Sequence, residues 1–157
     1  MFWVRLPLAT NPALALGHDP GCAVAVRLSH TPTDVLCIEG NPTNLRLIEG
    51  IFAPTATSAC SARWRPALGL ELARTHRPAL ILLDINLPDM DGYAVMQCLR
   101  EHEATRDIPV LGMSANARPE DIERSKAAGF VAYLTKPLDG AELLRTVSEL
   151  LAARPRP

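Results

Sequence analysis

Ile81-Leu82-Leu83-Asp84-Ile85-Asn86-Leu87-Pro88-Asp89-Met90-Asp91-Gly92-Tyr93 is the stretch on which the fold turns. With Ala79-Leu80 before it, five residues with no polar side chain run up to a single aspartate. An unbroken apolar run of that length suits a strand buried on both faces of a parallel sheet, and it ends at Asp84. A turn-rich segment follows, and from Tyr93 to His102 the pattern becomes helical, with Val95, Met96 and Leu99 on one face.

The same alternation extends both ways. Upstream, Val35-Leu36-Cys37-Ile38 is a short buried strand ending in Glu39. Asn41-Pro42 then reads as a helix cap with proline at the first helical position, followed by Leu45, Ile48 and Phe52 at helical spacing. Downstream come a strand over Ile108–Met113 and a helix over Pro119–Ala128 closed by Gly129. A strand over Phe130–Leu134 follows, then a helix opened by Asp139 and Glu142 at capping-box spacing. Between Pro54 and Pro66 the repeat requires a strand, placed near Thr55–Cys60, ahead of a helix over Ala67–Thr75. The irregular run Ser58–Arg65 fits no pattern. Strands alternating with amphipathic helices predict an α/β fold with a doubly wound, five-stranded parallel sheet.

In such a sheet, sites form beyond the carboxyl ends of the strands. Glu39, Asp84, Ser114 and Lys136-Pro137 all stand at those ends, contributed by four different elements. Singly, each is unremarkable: an aspartate there is more often a cap, a serine a turn residue, a lysine a solvated charge. Together, two carboxylates, a hydroxyl and an ammonium suit phosphoryl transfer to a carboxylate. Clustered acids hold magnesium, a hard cation, and a lysine neutralises phosphoryl oxygens during in-line attack.

The quoted stretch resembles the phosphorylation-site segment of response-regulator receiver domains, whose sheet is flavodoxin-like. Ile108–Ala117 resembles their switch-hydroxyl segment, and Ala128–Pro137 the one with a switch aromatic and a phosphate-binding lysine. Leu36–Arg46 resembles their acidic entry loop. The resemblance covers about Val35 to Ala153. It implies that Asp84 accepts a phosphoryl group from a phosphohistidine on a histidine kinase or histidine phosphotransfer domain. It implies that Glu39, Asp84 and the Asn86 main-chain carbonyl bind Mg²⁺, and that the Lys136–Pro137 peptide is cis. It also implies that Ser114 moves toward the phosphoryl group with Tyr133 following, changing the face formed by the last two helices and the strand between them. A receiver usually carries two consecutive acids after its first strand; here Glu39 is followed by Gly40. Losing one charge-assisted ligand, worth about 1–3 kcal/mol, weakens Mg²⁺ binding roughly tenfold or more.

Two rival functions follow from the same residues. Gly40 favours a degenerate pseudo-receiver that works through protein contacts alone. An aspartyl-nucleophile phosphatase of the haloacid dehalogenase type needs a second aspartate two residues after the first, and Asn86 stands there.

The chain divides into a linker over 1–33, rich in proline and without helical period, a receiver over 34–153 and a tail over 154–157. Phe2-Trp3-Val4-Arg5-Leu6-Pro7-Leu8 resembles the closing strand of a histidine kinase ATP-binding domain, which implies the C-terminal receiver of a hybrid kinase. The alternative is an unstructured tail; either way no kinase activity is expected, and with nothing beyond Pro157 no DNA-binding domain. Among 157 residues, a net charge of −1 gives no basic field for nucleic acid or anionic lipid. Pro7, Asn11 and Pro12 interrupt the apolar N-terminus, and no run approaches the roughly 20 apolar residues of a membrane helix. Cys22, Cys37, Cys60 and Cys98 form no CxxC, so neither disulfides nor zinc are expected and a reducing cytoplasm fits.

Overall fold

The computed structural model of the chain describes residues 33–153 apart from 56, 64, 65, 89 and 117. Phe2–Leu8, Cys22, Trp64-Arg65 and the 154–157 tail lie outside the described residues. The elements run β1 (Thr33–Glu39), α1 (Pro42–Phe52), β2 (Thr57–Arg63), α2 (Pro66–His76), β3 (Leu80–Asp84), α3 (Gly92–Glu101), β4 (Val110–Ser114), α4 (Pro119–Ala128), β5 (Ala132–Thr135) and α5 (Gly140–Ala152). The five strands form one parallel sheet in the order β2-β1-β3-β4-β5. This is the doubly wound architecture expected.

Side chains alternate across the strands, and each face buries its own core. Leu36, Ile38, Ile81, Leu83 and Val110 pack with Leu70 and Ala73 of α2, Val95, Met96 and Leu99 of α3, and Phe130. Val35, Cys37, Leu80, Leu82, Leu111 and Met113 pack with Leu45, Ile48 and Phe52 of α1 and Leu143 and Val147 of α5. Burial on both sides is why the sequence of β3 shows no polar alternation.

The helix ends follow their sequence signals. Asn41 Oδ1 accepts from the Thr43 N–H at 2.9 Å, and Asp139 Oδ1 from the Glu142 N–H at 2.8 Å. Gly129 closes α4 with φ 93°, a left-handed value that suits glycine.

β2 differs from its expected bounds. The strand begins at Thr57, later than expected, and runs through the segment that fitted no pattern as far as Arg63. It pairs with β1 along its full length, from Thr33↔Thr57 to Glu39↔Arg63. As an edge strand it is held by a main-chain ladder on one side, which asks little of its side-chain pattern.

Candidate active site

The strand order reverses between parallel neighbours β1 and β3, whose onward connections lead to opposite sides of the sheet, and the carboxyl ends of these two strands carry Glu39 and Asp84. Both are buried, at 2% and 3% exposure, as is Ser114 on β4. Lys136, just after β5, lies between the two acids. Its Nζ is 2.8 Å from Glu39 Oε2 and 2.9 Å from Asp84 Oδ2. Glu39, Asp84 and Lys136 are thus in direct contact at the carboxyl ends of the strands, with Ser114 at the end of neighbouring β4.

The second oxygen of each acid is held by main chain. Glu39 Oε1 accepts from the Asn41 N–H at 2.9 Å, and Asp84 Oδ1 from the Asn86 N–H at 3.0 Å. Burial raises the Glu39 carboxyl above its ordinary range, and neighbouring Asp84 adds to this, while Lys136 and the Asn41 N–H oppose it. For Lys136, burial disfavours the ammonium, but its bonds to Glu39 and Asp84 outweigh that and hold it protonated. The result is one cation shared by two acids.

Gly92 brings α3 up to this edge. A Cβ on it would lie 2.6 Å from Ile85 Cα and 2.7 Å from the Asp84 carbonyl oxygen, an approach only glycine permits. Its N–H donates to the Ile85 carbonyl at 3.0 Å, and Asp91 caps the helix through the Tyr93 N–H.

Ser114 and Tyr133 meet at a residue not singled out from sequence. The Asn116 N–H donates to Ser114 Oγ at 3.1 Å, and the Asn116 carbonyl accepts from the Tyr133 hydroxyl. Lys136 N–H also donates to the Ser114 carbonyl at 2.7 Å. The Lys136–Pro137 peptide is cis. A cleft of about 510 Å³ opens between the β3–α3 and β4–α4 loops, lined by Asn86, Pro88, Ser114, Asn116, Arg124 and Tyr133 among others; Asp84, Glu39 and Lys136 do not line it.

A second cluster ties α4 to the start of α3. The Arg124 guanidinium lies 4.0 Å from the centroid of the Tyr93 ring, the Tyr93 hydroxyl is 3.1 Å from Ser125 Oγ, and the ring meets Phe130 edge-on at 5.8 Å. These partners lie 31 to 37 positions away in the chain, so no local pattern announced them.

With this fold and this edge of the sheet in view, the class of protein is a signalling receiver. The family model of the response regulator receiver domain matches residues 35–148, and the chain belongs to that family. The polar-differentiation response regulator DivK of Brucella anthropi is 36% identical over 121 residues, spanning 76% of this chain and 97% of that protein. Among solved structures, the receiver domain of a sensor histidine kinase from Pseudomonas aeruginosa, with a magnesium ion coordinated in its active-site cleft, superposes with a TM-score of 0.71. It is 29% identical and covers 78% of this chain and all of its own. The receiver domain of a signal transduction histidine kinase from Syntrophus aciditrophicus gives 0.71 at 29% identity, covering 80% of this chain and 94% of its own.

Whether the residues present suit a magnesium ion is a question of donors. The ion takes about six oxygens in a near-octahedral shell. Protein carboxylates supply two here, Glu39 and Asp84, and each already has an oxygen on Lys136. Among the described residues no cluster of three His, Cys, Asp or Glu side chains forms a metal site. Magnesium is commonly held through one or two carboxylates with water completing its shell, so Glu39 and Asp84 fit the ion once Lys136 releases an oxygen of each. No helix among the described residues is long and apolar enough to cross a membrane.

Proposed function

We propose that the chain is a phosphoacceptor module of two-component signalling, in which Asp84 takes a phosphoryl group from a phosphohistidine on a histidine kinase or phosphotransfer domain. One observation carries this reading: Asp84 ends β3 at the sheet's switch point, with Lys136 Nζ at 2.9 Å. A carboxylate oxygen attacks phosphorus in line, the new O–P bond forms, and the P–N bond breaks. Its electron pair stays on the imidazole nitrogen, which takes a proton from solvent. Lys136 turns from Asp84 toward the phosphoryl oxygens and offsets their charge. Glu39, Asp84 and the Asn86 main-chain carbonyl are the groups that would hold Mg²⁺, as a weak set, because Gly40 brings no carboxylate.

The response runs through Asn116. When Ser114 turns its hydroxyl to the phosphoryl group, the Asn116 N–H loses its acceptor. The β4–α4 loop then shifts and releases the Tyr133 hydroxyl from the Asn116 carbonyl. A local charge thereby biases a two-state surface around α4, β5 and α5, read by a partner protein. The domain on this reading spans 34–153, works in the cytoplasm, has no enzymatic turnover of its own and contacts neither nucleic acid nor membrane. The resemblance at Phe2–Leu8 supports a place at the C-terminal end of a hybrid kinase.

Mass spectrometry after incubation with acetyl phosphate tests the assignment. A phosphoryl increment on the peptide carrying Asp84, absent from Asp84→Asn, is the expected result. An increment that survives Asp84→Asn overturns it. No increment on the native chain at saturating Mg²⁺ would favour the second reading, a pseudo-receiver acting by protein contacts, for which Gly40 is the specific observation.

A further inference from the structure

Arg124 reaches away from its own helix. Its guanidinium carbon lies 4.0 Å from the centroid of the Tyr93 ring, and its Nη2 is 3.8 Å from Asp91 Oδ2. Both partners belong to the segment that leaves Asp84, and that segment is tied back at several points. Asn86 N–H donates to Asp84 Oδ1 at 3.0 Å, Asn86 is bridged to Asp91, and Gly92 N–H donates to the Ile85 carbonyl at 3.0 Å. Arg124 therefore fastens the side of α4 to a loop built around Asp84.

A second acid stands within reach of the same guanidinium. Asp121 lies three residues earlier on α4, a spacing at which two side chains share one helix face. It lines the cleft between the β3–α3 and β4–α4 loops together with Asp91, Tyr93 and Arg124. Its Oδ2 is buried with no hydrogen-bond partner among the described residues. A buried carboxylate oxygen without a donor is costly, yet the arginine one turn away on its own helix is engaged elsewhere. The contacts that hold it there are weak ones: a cation over a ring, and an ion pair whose side chains are both more than half exposed. These opposing effects are of one order, so neither place for Arg124 wins by much.

We propose that Arg124 is a two-position catch between the Asp84 loop and α4: in the resting chain it holds Asp91 and Tyr93, and on release it turns back to Asp121. Movement in the segment after Asp84 draws Asp91 and Tyr93 from α4 and frees the guanidinium. Pairing with Asp121 then satisfies the buried oxygen and loosens α4 from α3. Only the trigger rests on the reading of Asp84 as phosphoacceptor; the two positions belong to the resting chain. Arg124 and Tyr93 are positioning residues, and their contacts do not pass through Ser114, Asn116 or Tyr133. They give Asp84 a second, separate line to α4.

Fluorine NMR of the full chain labelled with 3-fluorotyrosine reads the catch. The chain has two tyrosines, so the resonance missing from Tyr133→Phe leaves the other to Tyr93. Arg124→Gln removes the guanidinium from the ring and marks the released position of that resonance. In the unphosphorylated chain, Asp91→Asn keeps a side chain able to cap α3 but takes away the charge that holds Arg124. The Tyr93 resonance is then expected to move about halfway or more toward the Arg124→Gln position, as the population shifts to Asp121. Adding Asp121→Asn is expected to return it close to the native position, because the second acid no longer draws the guanidinium. A resonance unmoved by Asp91→Asn overturns the proposal. So does one that stays displaced in the double variant, since a merely local effect at position 91 would persist there.

The trigger is read on the same label after treatment with acetyl phosphate and magnesium chloride, with incorporation followed by mass. The native Tyr93 resonance is expected to move the same way as in Asp91→Asn, and by less than half as much in Asp121→Asn. An unmoved resonance on a chain that carries the phosphoryl group overturns the trigger, as does an equal displacement in Asp121→Asn. A chain that takes up no phosphoryl group counts against the phosphoacceptor reading, and the unphosphorylated variants still decide the catch.

Discussion

Glu39 and Asp84 stand on strands walled in on both faces, whereas Tyr133 stands on an edge strand, and α4 beside it buries only Ser125. Along β3 every residue is buried; along β5 only Leu134 is. The acid half of the site is therefore held by the whole core, and its geometry costs much to disturb. The half proposed to respond is held by a few identifiable contacts: Tyr133 and Ser114 on Asn116, Tyr93 under Arg124 and against Ser125. Parts that move in a switch come from the low-stability end of a structure. Here that division falls between β3 and β5, within one edge of one sheet.

The comparison breaks most visibly under core truncation. Leu82→Ala empties a fully buried position on β3 and should cost about 2–5 kcal/mol in urea unfolding, whereas Ile122→Ala on α4, half-buried, should cost about 1 kcal/mol or less. Similar losses at the two sites would mean that α4 is no looser than β3.

Next in size is Lys136→Met, which leaves Glu39 and Asp84 buried without their shared cation. A loss of about 1–3 kcal/mol is expected at neutral pH, partly recovered by adding Asp84→Asn. The pH dependence has a definite sign. Burial raises the Glu39 carboxyl, so the folded chain holds that proton more tightly than the unfolded one. Its contribution is most favourable below the ordinary value of 4.5 and declines as pH rises through the raised value. Lys136 opposes the rise, so unfolding across a pH series should show a deeper decline in Lys136→Met than in the native chain. A flat difference between the two would dismiss the coupling.

The acid half was legible in the sequence and the responding half was not, for a physical reason. Strands buried on both faces write themselves as apolar runs, and the residue ending each run is then at the sheet's edge. Glu39, Asp84 and Ser114 could be placed together on that basis, and Lys136 by its position after the last strand of the repeat. The contacts of the responding half join residues far apart through loops: Asn116 reaches Tyr133 across 17 positions and Tyr93 reaches Ser125 across 32. No period marks either. Gly40 was visible as a departure, but the Pro88 ring against it belongs to the β3–α3 loop, and only the folded chain brings them together. Similarly, β2 could be required by the repeat but not bounded, because an edge strand leaves a faint side-chain pattern.

Smaller effects sharpen the comparison within the responding half itself. Tyr93→Phe keeps the ring under Arg124 and against Phe130 and removes only the hydroxyl facing Ser125. One hydrogen bond is worth about 1 kcal/mol, so amide exchange along α4 should quicken by roughly fivefold while α1 and α5 stay unchanged. Tyr133→Phe should be milder still, since its hydroxyl bonds the main chain of an exposed loop. Global unfolding should shift by no more than about 0.5 kcal/mol, and faster exchange should be confined to the β4–α4 loop. Phosphoryl incorporation at Asp84 should be unaffected, because no bond of Asp84 passes through Tyr133. If incorporation falls with Tyr133→Phe, the two halves are not separable: the loop carrying Asn116 would then be shaping the acid site as well as responding to it.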